Sequence, residues 1–322
     1  MKSGFLSLSL ASLVLSGCVL DQPDDDYIDD SAAEDVGETT QEVMANNGMS
    51  LNGMSLNGMS LNGMSLNGMS LNGMSLNGMS LNGMSLNGMS LNGTQLTGKK
   101  ASGATVTGAQ LVGARMEGTL SDGSTLELRI DSAATLPAPN SDVWAYTVRY
   151  ALADGTWSPL CGESGGAPVL AIPLTGTWNY DAGVSDGGSW TDSTTSFTFG
   201  CRGTALAKCV EFGYKPWKTV NGVSLRNYHQ TCTRMIRADY CGDGTPWTQN
   251  GTQINIYDNL GIQTDAATNW SVDAQWTPNG ALCFDHLRDF QSGKPSCWDL
   301  KSGSCQSTFA GGALLIDEYK KL

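Results

Sequence analysis

Met49-Ser50-Leu51-Asn52-Gly53 is the first of nine identical pentads that run unbroken to Gly93, and their beat divides the chain. A glycine stands at every fifth position from Gly48 to Gly123. Beyond Gly93 the beat continues in degraded units: Thr94-Gln95-Leu96-Thr97-Gly98, Ala104-Thr105-Val106-Thr107-Gly108, Ala109-Gln110-Leu111-Val112-Gly113 and Ala114-Arg115-Met116-Glu117-Gly118. The composition changes on either side. All nine Trp lie after residue 140, whereas ten of the thirteen Met lie between Met44 and Met89. Four regions follow: a leader at 1–17, an acidic tether at 18–43, the pentads at 44–123 and a cysteine-rich domain at 124–322.

A small residue, a polar one, a central aliphatic, a fourth residue and glycine: this pattern resembles the pentapeptide-repeat family. The resemblance implies a right-handed, four-sided β-solenoid with four pentads per coil. The central residues (Leu51, Leu56 and onward to Leu111), and those two before them, would point inward. One pentad cannot bury its own leucine, but stacked coils bury a continuous column. Sixteen pentads would give four coils stacked about 4.8 Å apart, with glycine supplying the corner conformations and asparagine ladders between coils. One departure matters: Met stands two before the centre in all nine identical copies, where the family prefers a small side chain. Its adaptable thioether suits a wider interior. The same composition also suits a flexible low-complexity stalk, and both readings stay open.

The start of the chain reads as an export signal. Lys2 is followed by an apolar run from Phe5 to Leu15, too short to span a bilayer as a stable helix. Leu15-Ser16-Gly17-Cys18 then resembles a bacterial lipobox, which implies cleavage before Cys18 and lipid attachment to it. The membrane would be the partner there, held by several acyl chains. Val19 stands where an inner-membrane retention aspartate would be, so outer-membrane or surface placement is expected. Residues 18–43 carry ten acids and no base, a composition that favours an extended, disordered tether. The net charge of −13 is concentrated there, no basic patch is visible, and nucleic acid is not expected as a partner.

Eight cysteines (Cys161, Cys201, Cys209, Cys232, Cys241, Cys283, Cys297, Cys305) lie in the C-terminal region, separate from Cys18. An even set in an exported chain predicts disulfides. Spacing does not fix their connectivity; a trial pairing is Cys161–Cys201, Cys209–Cys232, Cys241–Cys283 and Cys297–Cys305. Period-two alternation predicts strands at 126–130, 143–150, 168–173, 194–199, 253–257, 270–276 and 313–319. Two helices are expected. One runs from Ala205 to Phe212 before Gly213. The other starts at a Ser224 cap and carries Leu225, Tyr228, His229, Cys232, Met235 and Ile236 on one face. The fold class is α+β, a disulfide-rich antiparallel-sheet domain with two helices.

Arg237-Ala238-Asp239-Tyr240-Cys241-Gly242-Asp243-Gly244 resembles the ADYC-domain family of exported bacterial proteins, named for its tetrapeptide. Ala207-Lys208-Cys209, Gly213-Tyr214-Lys215-Pro216-Trp217, His229 with Cys232, and Gly280-Ala281-Leu282-Cys283 fit the same pattern, over roughly residues 155–310. The resemblance carries no catalytic residues with it. On their own chemistry, His229, Cys232 and Asp239 could form a Cys/His nucleophile pair. A bridged Cys232 and a core His229 are the plainer expectation. Asp239 and Asp243 resemble part of a calcium loop, but Cys241 and Asn250 stand where ligands belong; a tight turn with both carboxylates on backbone amides is expected instead. A zinc site from Cys241, Cys283, Cys297 and Cys305 lacks paired spacing, so neither metal nor cofactor is expected. Trp157, Trp190 and Trp247 sit in Gly/Ser/Thr-rich turns and are candidates for stacking on sugar rings. The function expected is a non-enzymatic surface lipoprotein that binds or presents, with a cell-envelope polysaccharide or a protein as partner. A carbohydrate-binding module and a secreted hydrolase are the alternatives.

Overall fold

The computed structural model describes residues 86–320 apart from 101–102, 120–124, 180, 194–195, 249, 289–292 and 304. It also describes the short strands Val43–Asn46, Ser55–Leu56, Met59–Ser60 and Met69–Ser70. All of these lie in the unit Asp35–Leu322. Cys18, the leader, most of the acidic tether and most of the nine identical pentads fall outside the described residues, and so does the four-sided coil expected of them.

The degraded pentads pair as antiparallel strands. Strands β1 (Leu86–Asn92), β2 (Gln95–Lys100) and β3 (Thr105–Thr107) form a small meander, with Leu91 opposite Leu96 and Thr97 opposite Thr107. A 3-10 turn, Gly108–Leu111, leads on to the next strand. The pentad centres Leu96, Val106, Leu111 and Met116 are all buried. They share a core with Leu128, Ile130, Tyr146 and Val148 from beyond the ladder. The folded unit therefore begins before residue 124. Gly108 shows why the beat persists: its φ is +50°, and a Cβ there would lie 2.3 Å from the Trp144 ring, so glycine alone fits.

The first large sheet contains β4 (Arg115–Thr119), β5 (Thr125–Thr135), β6 (Trp144–Ala151), β7 (Trp157–Pro159), β8 (Ala171–Thr175) and β9 (Ser196–Cys201). The order across it is β9-β8-β6-β5-β4, with β7 beside β6 and Met69–Ser70 on the outer edge of β9. Helices α1 (Ala205–Glu211) and α2 (Arg226–Arg237) follow. The second sheet runs Val43–Asn46, β10 (Asn250–Asp258), β13 (Leu315–Tyr319), β11 (Ser271–Thr277), β12 (Gly280–Phe284). A single-turn helix, α3 (Trp298–Lys301), lies between β12 and β13. All named strand pairs among the described residues are antiparallel, so the α+β class stands, with three helices rather than two.

The helices join the sheets. Leu206, Ala207 and Val210 of α1 pack on Ile172 and Leu174 of β8. Tyr228, Met235 and Ile236 of α2 pack with Ala274, Trp276 and Leu315 of the second sheet. Burying a side chain of this size contributes about 1.5–3 kcal/mol. The α2 helix begins at Arg226 rather than at a Ser224 cap, although Ser224 Oγ still accepts the Arg226 N–H at 3.3 Å. Its polar face is not solvated: Gln230, Thr231, Thr233, Arg234 and Arg237 are all buried.

Four disulfides brace this arrangement. Cys161–Cys201 and Cys209–Cys232 match the trial pairing, the second stapling α1 to α2. The other two correct it: Cys241 bonds Cys297, and Cys283 bonds Cys305. The turn of α3 sends its flanking cysteines to different neighbours. Cys297 lies against the turn after α2, its N–H 3.1 Å from Cys241 Sγ, while Cys305 returns beside β12 with its N–H on Asp285.

Candidate functional site

The Arg237–Gly244 signature closes α2 and ties it to the second sheet. Ala238 ends the helix in the left-handed conformation, φ +50°. That turn drops Asp239 beneath the helix end, where it is fully buried and ion-paired with Arg234. Asp239 Oδ1 accepts the N–H groups of Gly242 at 2.9 Å and Asp243 at 3.1 Å, and Oδ2 accepts that of Gly244 at 3.0 Å. A buried carboxylate is tolerated only with such partners. Asp243 caps Thr245 N–H in the same way at 2.9 Å. The tight-turn expectation describes this loop, and Asp239's oxygens face amides and a guanidinium rather than a cation site. Gly242 has φ +75°, and a Cβ there would meet Asn279 O at 2.1 Å, so the turn seats directly on the β11–β12 connection.

Tyr240 is buried between Trp276 and Phe284, its ring centroid 5.3 Å and 4.5 Å from theirs. Its hydroxyl donates to Asp273 at 3.3 Å and accepts the Arg288 N–H at 3.3 Å. The buried Arg288 guanidinium bonds Asp273 Oδ2 at 2.5 Å, Asp317 Oδ2 at 2.5 Å and Met235 O at 2.8 Å. It therefore links the end of α2 to β11 and β13. Trp276 Nε1 donates to Asp317 Oδ1 at 2.5 Å. Burial and the Asp273 charge push the Asp317 carboxyl well up against the pull of Arg288. Burial raises Asp273 as well, but Arg288, His286 and Asp317 hold it below the usual carboxylate range. His286 is where this network reaches solvent. It is half-buried, stacks on Tyr319 at 3.8 Å, and sets Nδ1 3.7 Å from Asp273 Oδ1. No sequence pattern pointed to Asp273, His286, Arg288 and Asp317; they come together only through strand register and the 285–288 loop.

The residues singled out from sequence do not converge on one site. His229 is fully buried, with Nε2 3.0 Å from Leu206 O, and burial pushes its pKa down to about 3, so the ring is neutral. Cys232 is bridged to Cys209. The plainer expectation, a bridged Cys232 and a core His229, describes both residues, and the two cannot act as a nucleophile pair. The four cysteines of the zinc reading are likewise held in two disulfides. Trp247 belongs to the α2 core, which corrects its place among sugar-stacking candidates. Trp157 carries Arg129 at 4.5 Å and Arg115 at 5.2 Å over its ring. Trp190 carries Arg226 at 3.7 Å and lies against a different cluster.

Other motif positions are also structural. Tyr214 OH donates to buried Asp258 at 2.9 Å, and Lys215 pairs with Asp142 at 2.6 Å. Among the described residues no helix is long and apolar enough to cross a membrane. No group of three His, Cys, Asp or Glu side chains among them is placed to hold a metal ion.

The architecture defines a disulfide-braced antiparallel α+β domain of the kind built in oxidising, extracytoplasmic compartments. A family model described as the ADYC domain matches residues 108–290, more than half of the chain, and the chain belongs to that family. The match starts inside the degraded pentads, in agreement with the shared core there. No curated protein and no solved structure matches the chain.

Proposed function

We propose that this chain is an exported, lipid-anchored binding protein: an anchor at Cys18, an acidic tether at 18–43, a pentad spacer, and a folded domain that binds or presents without chemistry of its own. The observation that carries this reading is the inward use of the signature. Asp239, Tyr240 and Cys241 are committed to an ion pair, a buried network and a disulfide. Such a motif preserves a scaffold, and recognition then falls to the surface around it. Co-sedimentation of the full chain with insoluble peptidoglycan, chitin and cellulose tests the reading. Saturable retention on one of them supports a cell-envelope polysaccharide partner; no retention on any leaves a protein partner as the reading to pursue. A carbohydrate-binding role is the specific form favoured by the Trp190–Arg226 pair at the start of α2.

A further inference from the structure

The first turn of α2 carries three buried polar atoms with no hydrogen-bond partner among the described residues: Arg226 Nη1, His229 Nδ1 and Gln230 Oε1. Positions i, i+3 and i+4 of a helix lie side by side, so the three belong to one small region. Their remaining bonds are directed elsewhere. Arg226 Nη2 donates to Thr175 O at 3.1 Å, His229 Nε2 to Leu206 O at 3.0 Å, and Gln230 Nε2 to Gly188 O at 2.8 Å. Because His229 Nε2 donates, its Nδ1 presents a lone pair. The region thus offers one cationic donor and two acceptors.

Two indoles frame it. Trp190 lies 3.7 Å from the Arg226 guanidinium, and its Nε1 donates to the same Thr175 carbonyl at 3.1 Å. Trp178, fully buried, sets its ring 5.9 Å from Arg226 and edge-on to His229 at 5.7 Å. Trp190 and Arg226 are only half-buried, while His229 and Gln230 lie deeper. No carboxylate among the described residues forms an ion pair with Arg226; Asp192, exposed, acts on it only through space. Burial accordingly pushes the guanidinium pKa down to about 10. A half-buried cation without a counter-ion is unfavourable unless something anionic completes it.

We infer that the Trp190–Arg226 end of α2 is a binding site for a hydroxylated carboxylate, of the kind an acidic sugar presents, an inference that rests on the carbohydrate-binding form of the proposed function. The ligand's carboxylate takes Arg226 Nη1 in a charge-assisted bond. Its hydroxyls donate to Gln230 Oε1 and His229 Nδ1, which leaves all three groups satisfied. Trp190 swings from the Thr175 carbonyl to admit the ligand and supplies a flat apolar wall for the ring. A neutral sugar gains the hydroxyl contacts but leaves the guanidinium uncompensated, so the site discriminates by charge.

The test is a titration of the full chain with glucuronate, and separately with glucose, read by tryptophan emission, since Trp190 lies against the reporting cation. The expected result is a saturable change with glucuronate, at an affinity reduced about tenfold or more in Arg226→Gln. Glucose should bind correspondingly more weakly. Asp192→Asn, an exposed change remote from the core, removes an opposing charge and should tighten glucuronate binding about twofold. That variant keeps the test decisive if Arg226→Gln does not fold. Equal affinity for the two sugars, or glucuronate binding indifferent to both substitutions, overturns the inference. A chain that sediments with polysaccharide yet shows no saturable glucuronate response overturns the site and leaves the carbohydrate reading standing. Failure of both experiments removes both.

Discussion

Replacing Asp239 with alanine should be among the most damaging single changes in the domain. The side chain faces Arg234, itself buried, and receives three backbone N–H groups within 3.1 Å. Removing one partner of a buried ion pair costs about 3–5 kcal/mol, because the remaining charge stays buried. The three amides lose acceptors as well, and such penalties overlap rather than add. A loss of about 5 kcal/mol is therefore expected, a large share of the roughly 5–15 kcal/mol that stabilises a typical domain. With a urea dependence of about 2–3 kcal/mol/M, the unfolding midpoint should fall by about 2 M. Asp243→Ala, which removes one bond to Thr245 N–H at a half-buried position, should cost only about 1 kcal/mol. Adding Arg234→Met to Asp239→Ala should recover part of the loss, since the orphaned charge goes with it. Urea unfolding with disulfides intact measures all three. An Asp239→Ala midpoint within about 0.4 M of the parent, roughly 1 kcal/mol, would refute the reasoning and reopen a functional role for the signature carboxylate.

Other consequences follow from particular residues. His229, held neutral with its pKa lowered to about 3, binds a proton more readily once unfolded, so its contribution is lost as pH falls through about 6.5 toward 3. The slope from this residue is at most about 1.4 kcal/mol per pH unit, and Asp317, whose raised pKa acts in the opposite direction, opposes it above the ordinary carboxylate range. The stability difference between the parent and His229→Gln, measured by urea unfolding between about pH 6.5 and 4.5, isolates the His229 contribution and should shift against the parent as pH falls. Gly108→Ala places a methyl 2.3 Å from the Trp144 ring at φ +50°. It should cost about 2–3 kcal/mol and lower Tm by about 4–12 °C in a thermal melt. A chain truncated to begin at Ser124 lacks Leu96, Val106, Leu111 and Met116, which cover Leu128, Ile130 and Tyr146. It should bind a hydrophobic dye and lose cooperative unfolding by circular dichroism.

Much of the architecture is legible in the sequence because strands and helices here obey simple periods. Leu126 to Ile130 alternates and lies in β5, and Ala205 to Glu211 ends before Gly213 as its composition predicts. The apolar face of α2 is buried as its spacing predicts. Its polar face is not readable, because Gln230 and Arg234 donate to Gly188 O and Gly187 O, carbonyls more than forty residues away. The disulfides divide along the same line. Cys209–Cys232 joins neighbouring helices and follows from local reasoning, whereas Cys241–Cys297 depends on where α3 is carried by its loops. The beat of the ladder is visible in one dimension, but the sequence does not say whether Leu96 and Leu111 face a coil or a sheet. Packing against Tyr146 and Leu128 decides for the sheet. Asp273, His286, Arg288 and Asp317 carry no motif at all; the register of β11 against β13 and the 285–288 loop assemble them.

The central claim is that the signature and its cysteines hold a scaffold rather than perform chemistry. Peptide mapping of the unreduced full chain by mass spectrometry tests it most directly. The account predicts linked peptides for Cys161–Cys201, Cys209–Cys232, Cys241–Cys297 and Cys283–Cys305. A free thiol at Cys232 or Cys241 in the exported protein would contradict it, and would return a nucleophile to the end of α2.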